Sequence, residues 1–183
     1  MPVTTRSAAG FVRRLACARI GSTFNFYAQG AGAGVRRARL VEYLESRSAA
    51  TVLLVGEAPG HRGACVSGLP FTSERQLTGS GPTEATATIV QAALTELGLA
   101  EAVLLWNVVP THPHRPGEPA SNRPPTRAEV AAGLLFVREL APGRQVLAIG
   151  RLAERALGAP YVRHPSRGGA TAFRAGLMQL VHA

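Results

Sequence analysis

A short apolar run that breaks abruptly into a turn constrains this chain more than any other feature. Residues 52–55, Val-Leu-Leu-Val, are typical of a strand buried in a parallel sheet. Gly-Glu-Ala-Pro-Gly follows at 56–60, where the glycines permit unusual backbone conformations and Pro59 stiffens the turn. Loops at the carboxyl ends of such strands hold ligands in open α/β sheets, so Glu57 is predicted to lie at the mouth of a cleft. Taken alone, the stretch also fits an ordinary loop with a solvated Glu57.

Two further apolar runs, at 103–106 and 146–149, and the short segment 161–163 predict three more strands. Helical periodicity or capping signals cover residues 7–20, 35–47, 85–97, 126–141, 151–157 and 172–181. Strands that alternate with helices predict a three-layer α/β/α architecture with a central four-stranded parallel sheet. We expect one domain over residues 1–183, with residues 1–50 as a helical extension packed on it.

The charge of the chain comes entirely from arginine, because it contains no lysine. Twenty basic residues against eleven acidic ones give a net charge of +9. Such an excess favours DNA or RNA as a partner, and a coding bias towards arginine is the less favoured alternative. Two cysteines, Cys17 and Cys65, cannot supply a four-cysteine iron–sulfur or zinc site. Because no disulfide is implied and no apolar run is long enough to span a membrane, we expect a cytoplasmic, nucleoid-associated protein of a bacterium.

Common cofactor and hydrolase motifs are missing from the sequence. Neither a Walker loop nor a Gly-x-Gly-x-x-Gly fingerprint opens the first strand, so we expect no nucleotide cofactor. No Gly-x-Ser-x-Gly elbow is present, which disfavours a small-molecule α/β hydrolase. His112 and His114 lack a third metal ligand nearby, so phosphate contact or solvent exposure is preferred for them and for Arg115. We expect no metal and no cofactor.

Three polar residues follow three of the predicted strands, and each lies close to a proline. They are Glu57, Asn107 and His164. Because parallel strands point the same way, their loops are expected to gather at one edge of the sheet and to form a pocket there.

These loops carry a family resemblance. GEAPG at 56–60, the Phe of LPFT at 71, the Asn of LLWNVVP at 107 and HPS at 164–166 together resemble the motifs of the uracil-DNA glycosylase superfamily. The resemblance covers about residues 52–176. GEAPG and the later NRPPT run are similar to the branch that includes the iron–sulfur enzymes, whereas FTSE resembles the FTGD segment of another branch.

The resemblance implies a DNA repair enzyme that flips uracil out of the helix and hydrolyses its N-glycosidic bond, leaving an abasic site. Asn107 would read N3–H and O4 of uracil, and Phe71 would stack on the ring. His164 would donate to O2 as charge develops there. The structural alternatives are a strand-capping Asn107, a core Phe71 and a structural His164. Uracil contacts are also expected from Gly56, Ala58, Pro59 and Gly60.

The chain departs from the family pattern at two of these positions. The best-known branch has Asp where Ala58 stands and a thymine-blocking Tyr where Gly60 stands. Water activation therefore falls to another carboxylate, Glu57 as first candidate and Glu74 as its rival. The structural alternatives are a Glu57 that braces its loop and a Glu74 that begins a helix. Thymine exclusion is left open, as are hypoxanthine and xanthine as substrates.

Contacts to the DNA backbone are implied for a second set of residues. Small residues let a loop approach the minor groove and arginine suits its negative potential. The set comprises Ser166, Arg167, Gly168, Gly169, Ser73 and Arg115. We expect a monomer that acts on single- or double-stranded DNA. A non-catalytic protein of the same fold that binds damaged or structured DNA is the alternative.

Overall fold

The computed structural model describes residues 7–181 and has a parallel sheet at its centre. The strands are β1 (Val52–Gly56), β2 (Val103–Asn107), β3 (Gln145–Ile149) and β4 (Tyr161–Val162). All pairings are parallel, in the order β2-β1-β3-β4. The four-stranded parallel sheet predicted from the sequence is confirmed.

Helices lie on both faces of this sheet. They are α1 (Ala8–Cys17), α2 (Ala33–Ser46), α3 (Ala64–Ser67), α4 (Glu74–Thr78), α5 (Ala85–Glu96), α6 (Arg127–Leu140), α7 (Arg151–Leu157) and α8 (Ala170–Val181). Within residues 7–181, no helix is long and apolar enough to cross a membrane.

Alternation along the strands divides the core into two layers. Leu53 and Trp106 face a cluster built with α1, α2, α6 and α7. Leu54 and Leu105 face the opposite cluster, built with α5 and α8. Successive strand residues point to opposite faces of the sheet, so a strand that is apolar throughout must be covered by helices on both faces. This arrangement confirms the three-layer α/β/α prediction.

The N-terminal segment packs into the first of these layers. Phe26 and Tyr27 are buried there, and Phe11 meets Trp106 edge to face with ring centroids 5.4 Å apart. A short antiparallel bridge joins Phe24 to His112, with N–H to O distances of 2.9 and 3.0 Å. The aromatic residues at 24–27 therefore belong to the core.

The sequence prediction differs from the structure mainly at short elements. Helix α3 was not predicted, because four residues between two glycines show no periodicity. Helix α4 begins at Glu74, as the alternative interpretation of that residue expects. Helix α1 ends at Cys17, three residues earlier than predicted, where Ala18 turns extended. The capping box of α6 is confirmed: Thr126 Oγ1 accepts from Glu129 N–H at 3.2 Å, and the Glu129 carboxylate accepts from Thr126 N–H at 2.8 Å.

Candidate active site

Two adjoining cavities open at the carboxyl edge of the sheet. The smaller, about 330 Å³, is lined by Glu57, Arg163, His164, Ser166 and Arg167. The larger, about 730 Å³, shares four of these residues and extends over the loop after β1. Loops far apart in the chain therefore meet at one cleft, as the parallel topology predicts.

Glu57 lines both cavities and follows β1 directly. Backbone pairing continues past the strands there, since Val108 N–H donates to Gly56 O at 2.8 Å and Val109 N–H to Glu57 O at 3.0 Å. Partial burial raises the pKa of the Glu57 carboxyl, and the positive charge of Arg155 opposes that shift. A carboxylate with a raised pKa in a cleft is suited to accept a proton from water.

Gly56, Phe71 and Asn107 pack together beside this carboxylate. A Cβ atom on Gly56 would overlap Cζ of Phe71 and lie 3.0 Å from Asn107 Oδ1. Only glycine fits at this position, because the aromatic ring occupies the space of a side chain. Phe71 itself has a positive φ of 49°, which an aromatic residue rarely adopts.

Phe71 and Asn107 differ in their access to the cleft. Phe71 lines the larger cavity, whereas Asn107 is 5% exposed and lies behind the lining residues. Within residues 7–181, the Asn107 carboxamide makes no hydrogen bond to the protein, although its polar atoms are not completely buried. An amide whose donors and acceptor are free in this way is available to pair with a ligand.

His164 has a defined tautomer. Its Nδ1 accepts from the backbone N–H of Ser166 at 3.2 Å and lies 2.8 Å from Ser166 Oγ. A backbone N–H can only donate, so the ring proton of the neutral imidazole lies on Nε2. Burial lowers the pKa of His164, and Arg163 lowers it further. The ring is therefore a neutral donor at the wall of both cavities.

The turn after His164 brings its backbone close to the ring. Arg167 and Gly168 have positive φ values of 52° and 74°. A Cβ atom on Gly169 would overlap the carbonyl oxygen of His164, so no larger residue fits there. Ser166 and Arg167 line both cavities, whereas Gly168 and Gly169 shape the turn.

Other predicted residues lie at varying distances from the cleft. Ala58, Pro59 and Gly60 line the larger cavity. Ser73 is fully buried in a capping box with Gln76, so its hydroxyl is not presented to DNA. Arg115 is exposed and lies 3.5 Å from Glu118, outside both cavities.

Glu74, the rival carboxylate, is engaged elsewhere. It forms a two-pronged ion pair with Arg39, with N to O distances of 2.8 and 3.0 Å. It lines neither cavity. The structure thus brings Glu57 to His164 and leaves Glu74 outside the cleft.

Several lining residues were missed by sequence reasoning. Arg151 and Arg155 are four residues apart on α7, a spacing that places both on one helix face. Asn122 and Arg123 belong to the NRPPT run, which was noted only for its resemblance. Glu84 precedes α5, and its sequence context suggested only the start of a helix.

His112 is held by the protein itself. Its Nδ1 lies 2.9 Å from Pro59 O and its Nε2 lies 3.2 Å from Pro119 O. In the part of the chain that the structure describes, no group of three His, Cys, Asp or Glu side chains is placed to hold a metal.

The family model of the uracil DNA glycosylase superfamily matches residues 45–182, and the chain belongs to this family. Membership implies glycosylase chemistry on DNA.

Among solved structures, the chain is similar to the crystal structure of wild-type Pedobacter heparinus SMUG2, with a TM-score of 0.66 and 12% sequence identity. The match covers 95% of this chain and 96% of that chain. At that identity the likeness shows the fold alone. No curated protein matches the sequence. The superfamily resemblance is confirmed, and the branch-level likeness stays a prediction.

Proposed function

We propose that this protein removes uracil from DNA by hydrolysing the N-glycosidic bond without a cofactor, leaving an abasic site. The observation that carries the proposal is the meeting of Glu57, His164 and Phe71 at the wall of one cleft, with Asn107 directly behind. Glu57 supplies a carboxylate that accepts a proton from water, and His164 supplies a neutral hydrogen-bond donor for the leaving group. Phe71 supplies an aromatic face on which the base stacks.

Recognition of uracil falls to Asn107. Its carboxamide oxygen accepts from N3–H while its nitrogen donates to O4, and no protein group within residues 7–181 competes for these bonds. Cytosine presents a bare N3 and an amino group instead, so both bonds fail. Each buried polar group left unpaired costs about 1–3 kcal/mol. Entry of the base requires a small displacement of Phe71, whose ring lies against Gly56 beside the amide.

Bond breaking leaves positive charge on the sugar and negative charge on uracil O2. The Nε2–H of His164 donates to that oxygen, and the imidazole stays neutral because burial and Arg163 lower its pKa. Water attacks C1′ as the C1′–N1 electron pair leaves with uracil. Glu57 accepts a proton of that water, which gives the abasic sugar its hydroxyl.

The rim of the cleft is suited to the DNA backbone. Arg151, Arg155, Arg163 and Arg167 line the cavities, and arginine pairs well with phosphate oxygens. Their charge also steers the polyanion to the cleft, and the +9 net charge acts in the same direction.

Excision of uracil from single- and double-stranded oligonucleotides, followed by alkaline cleavage, tests this function. The proposal expects strand breaks at uracil. Intact strands that are nevertheless bound at high protein excess would favour the alternative, a protein that recognises damaged DNA without cutting it. Parallel substrates with hypoxanthine, xanthine and thymine define the range of bases.

A further inference from the structure

His112 lies where two loops of the larger cavity meet, and the chemistry above leaves it unused. The loop after β1 lines that cavity with residues 58–60, and the loop after β2 lines it with Pro113 and residues 122–124. His112 is 1% exposed, and its backbone is fixed by the antiparallel bridge to Phe24. Its ring is therefore a buried polar group between two walls of the cleft.

Both nitrogens of this ring face acceptors. Nδ1 lies 2.9 Å from Pro59 O on the loop after β1, and Nε2 lies 3.2 Å from Pro119 O on the loop after β2. A backbone carbonyl oxygen can only accept, so each contact needs a proton on the ring nitrogen. A neutral imidazole carries one proton and would leave its other nitrogen facing a carbonyl lone pair, whereas the imidazolium donates to both. Hydrogen bonds made only by the charged form favour that form.

The titratable and charged groups around His112 come from three elements. His61, on the loop after β1, has its ring centroid 6.5 Å away, and the ring of His114 stacks on His112 at 5.7 Å. The N-terminal segment meets His112 through Phe24, whose side chain carries no charge. The charged side chains of the loop after β2 already form ion pairs, Arg123 with Glu129 of α6 at 2.7 Å and Arg115 with Glu118 at 3.5 Å. These arginines therefore do not oppose a proton on His112 as unpaired cations would.

A second hydrogen bond joins the same two loops without a titratable group. The backbone N–H of His61 donates to Asn122 Oδ1 at 3.3 Å. Because an amide oxygen and a backbone N–H keep their protonation over the ordinary pH range, this bond does not depend on pH. It provides an internal comparison for the contacts of His112.

We propose that doubly protonated His112 is a positioning residue that holds the loop after β1 against the loop after β2, so that base binding weakens when its ring loses a proton. The inference rests on the proposed function and adds a control of its binding step. Pro59 is two residues from Glu57 in the same loop. Loss of the bond to Pro59 O therefore loosens the wall that carries Glu57 and removes no group that touches the base.

Nitrogen-15 NMR of the imidazole rings tests the charge of His112 in the wild-type protein. Its signals are assigned through the backbone of the uniformly labelled chain, so this measurement needs no variant. The pH values 6 and 8.5 lie on either side of the range in which histidines usually titrate. Both nitrogens of His112 should carry protons at pH 6, and one of them should be bare at pH 8.5. A ring whose charge is the same at both pH values overturns the proposal.

Affinity for free uracil, measured by ligand-observed NMR at the same two pH values, tests the consequence. Uracil is uncharged at both. Glu57 and His164 titrate in every variant, so the quantity compared is the change in affinity with pH. His112→Gln donates to one carbonyl and is neutral throughout. Between pH 6 and 8.5, wild type should lose roughly 2- to 10-fold more affinity than His112→Gln, the effect of one hydrogen bond.

Asn122→Ala is the matched comparison, because it removes the second bond between the loops. It should weaken uracil binding by a similar factor at both pH values and keep the wild-type pH dependence. Equal pH effects in wild type and His112→Gln overturn the proposal, as does wild type that binds no uracil at either pH.

The outcomes separate this inference from the proposed function. If uracil binds with the expected pH dependence but is never excised from DNA, only the catalytic proposal fails. If uracil is excised while His112→Gln and wild type respond equally to pH, only the role of His112 fails. Thermal unfolding of each variant at both pH values confirms that the comparison concerns folded protein.

Discussion

The backbone N–H of Ser166 donates to Nδ1 of His164 at 3.2 Å and so fixes the proton of the neutral ring on Nε2. The side chain is thereby oriented by its own loop, two residues away. The turn over residues 164–166, which sets the tautomer of a histidine that lines the cleft, therefore has a chemical consequence. It makes His164 a donor without a positive charge.

This arrangement predicts that His164→Ala slows base release by roughly 10²–10³-fold, the usual effect of losing one donor to a developing oxyanion. Because burial lowers the pKa of His164, the neutral ring should persist below the pH at which an ordinary histidine is charged. Nitrogen-15 NMR of the imidazole should show a neutral ring protonated at Nε2 at pH 7. A charged ring at that pH would contradict this role.

Glu57→Gln should slow the chemical step far more than DNA binding, because an amide cannot accept the proton of water. Burial raises the pKa of Glu57, so the wild-type rate should rise as pH increases through that raised value and level off above it. Glu74→Gln is the matched control, since Glu74 pairs with Arg39 outside the cleft. If Glu74→Gln abolishes base release and Glu57→Gln does not, the assignment of Glu57 as the group that activates water is wrong.

Gly56→Ala should impair base binding and stability together, since the new methyl group would overlap the Phe71 ring. Overpacking of this kind costs typically about 1–3 kcal/mol. Gly34→Ala, in α2, would place a Cβ atom 4.0 Å from Arg37 Nη2, an ordinary contact, and should be neutral or stabilising by up to about 1 kcal/mol. Urea unfolding and KM measured on both variants distinguish local damage from general destabilisation.

Glu129 connects three segments of the chain, and its contacts predict that the free energy of unfolding decreases in acid. It is 1% exposed and accepts from Arg123, Thr126 N–H and Ser22 N–H. These contacts lower its pKa to about 2, with the Arg123 hydrogen bonds as the largest cause. The folded-state pKa lies below the ordinary 4.5, so this stabilisation is present above 4.5 and is lost as pH falls towards about 2.

Glu129→Gln should therefore lower the free energy of unfolding at pH 7 by about 3–5 kcal/mol, because Arg123 loses its buried partner. The difference from wild type should shrink in the acid window. Glu118→Gln, at an exposed pair, should change stability by less than about 1 kcal/mol. Urea denaturation at pH 7 and pH 3 measures both effects. If the difference in unfolding free energy between wild type and Glu129→Gln is the same at both pH values, protonation of Glu129 is not linked to stability.

The sequence predicted the parallel sheet and the cleft because both depend on local patterns. Strands such as Val52–Gly56 are uniformly apolar, and polar residues at their carboxyl ends must meet. Partners between distant side chains leave no such pattern. The pair of Glu74 with Arg39 and the burial of the Glu84 carboxylate against Gly60 and Gly63 depend on tertiary packing, so neither was predictable.

The central claim is that Asn107, behind the wall of a cleft formed by loops after β1 and β4, reads the extruded base. Single-turnover release of uracil and of cytosine by wild type and by Asn107→Asp tests it most directly. A carboxyl group that shares or carries a proton can pair with N3 of cytosine, so the uracil-to-cytosine rate ratio should fall by orders of magnitude. An unchanged ratio in Asn107→Asp would contradict the account.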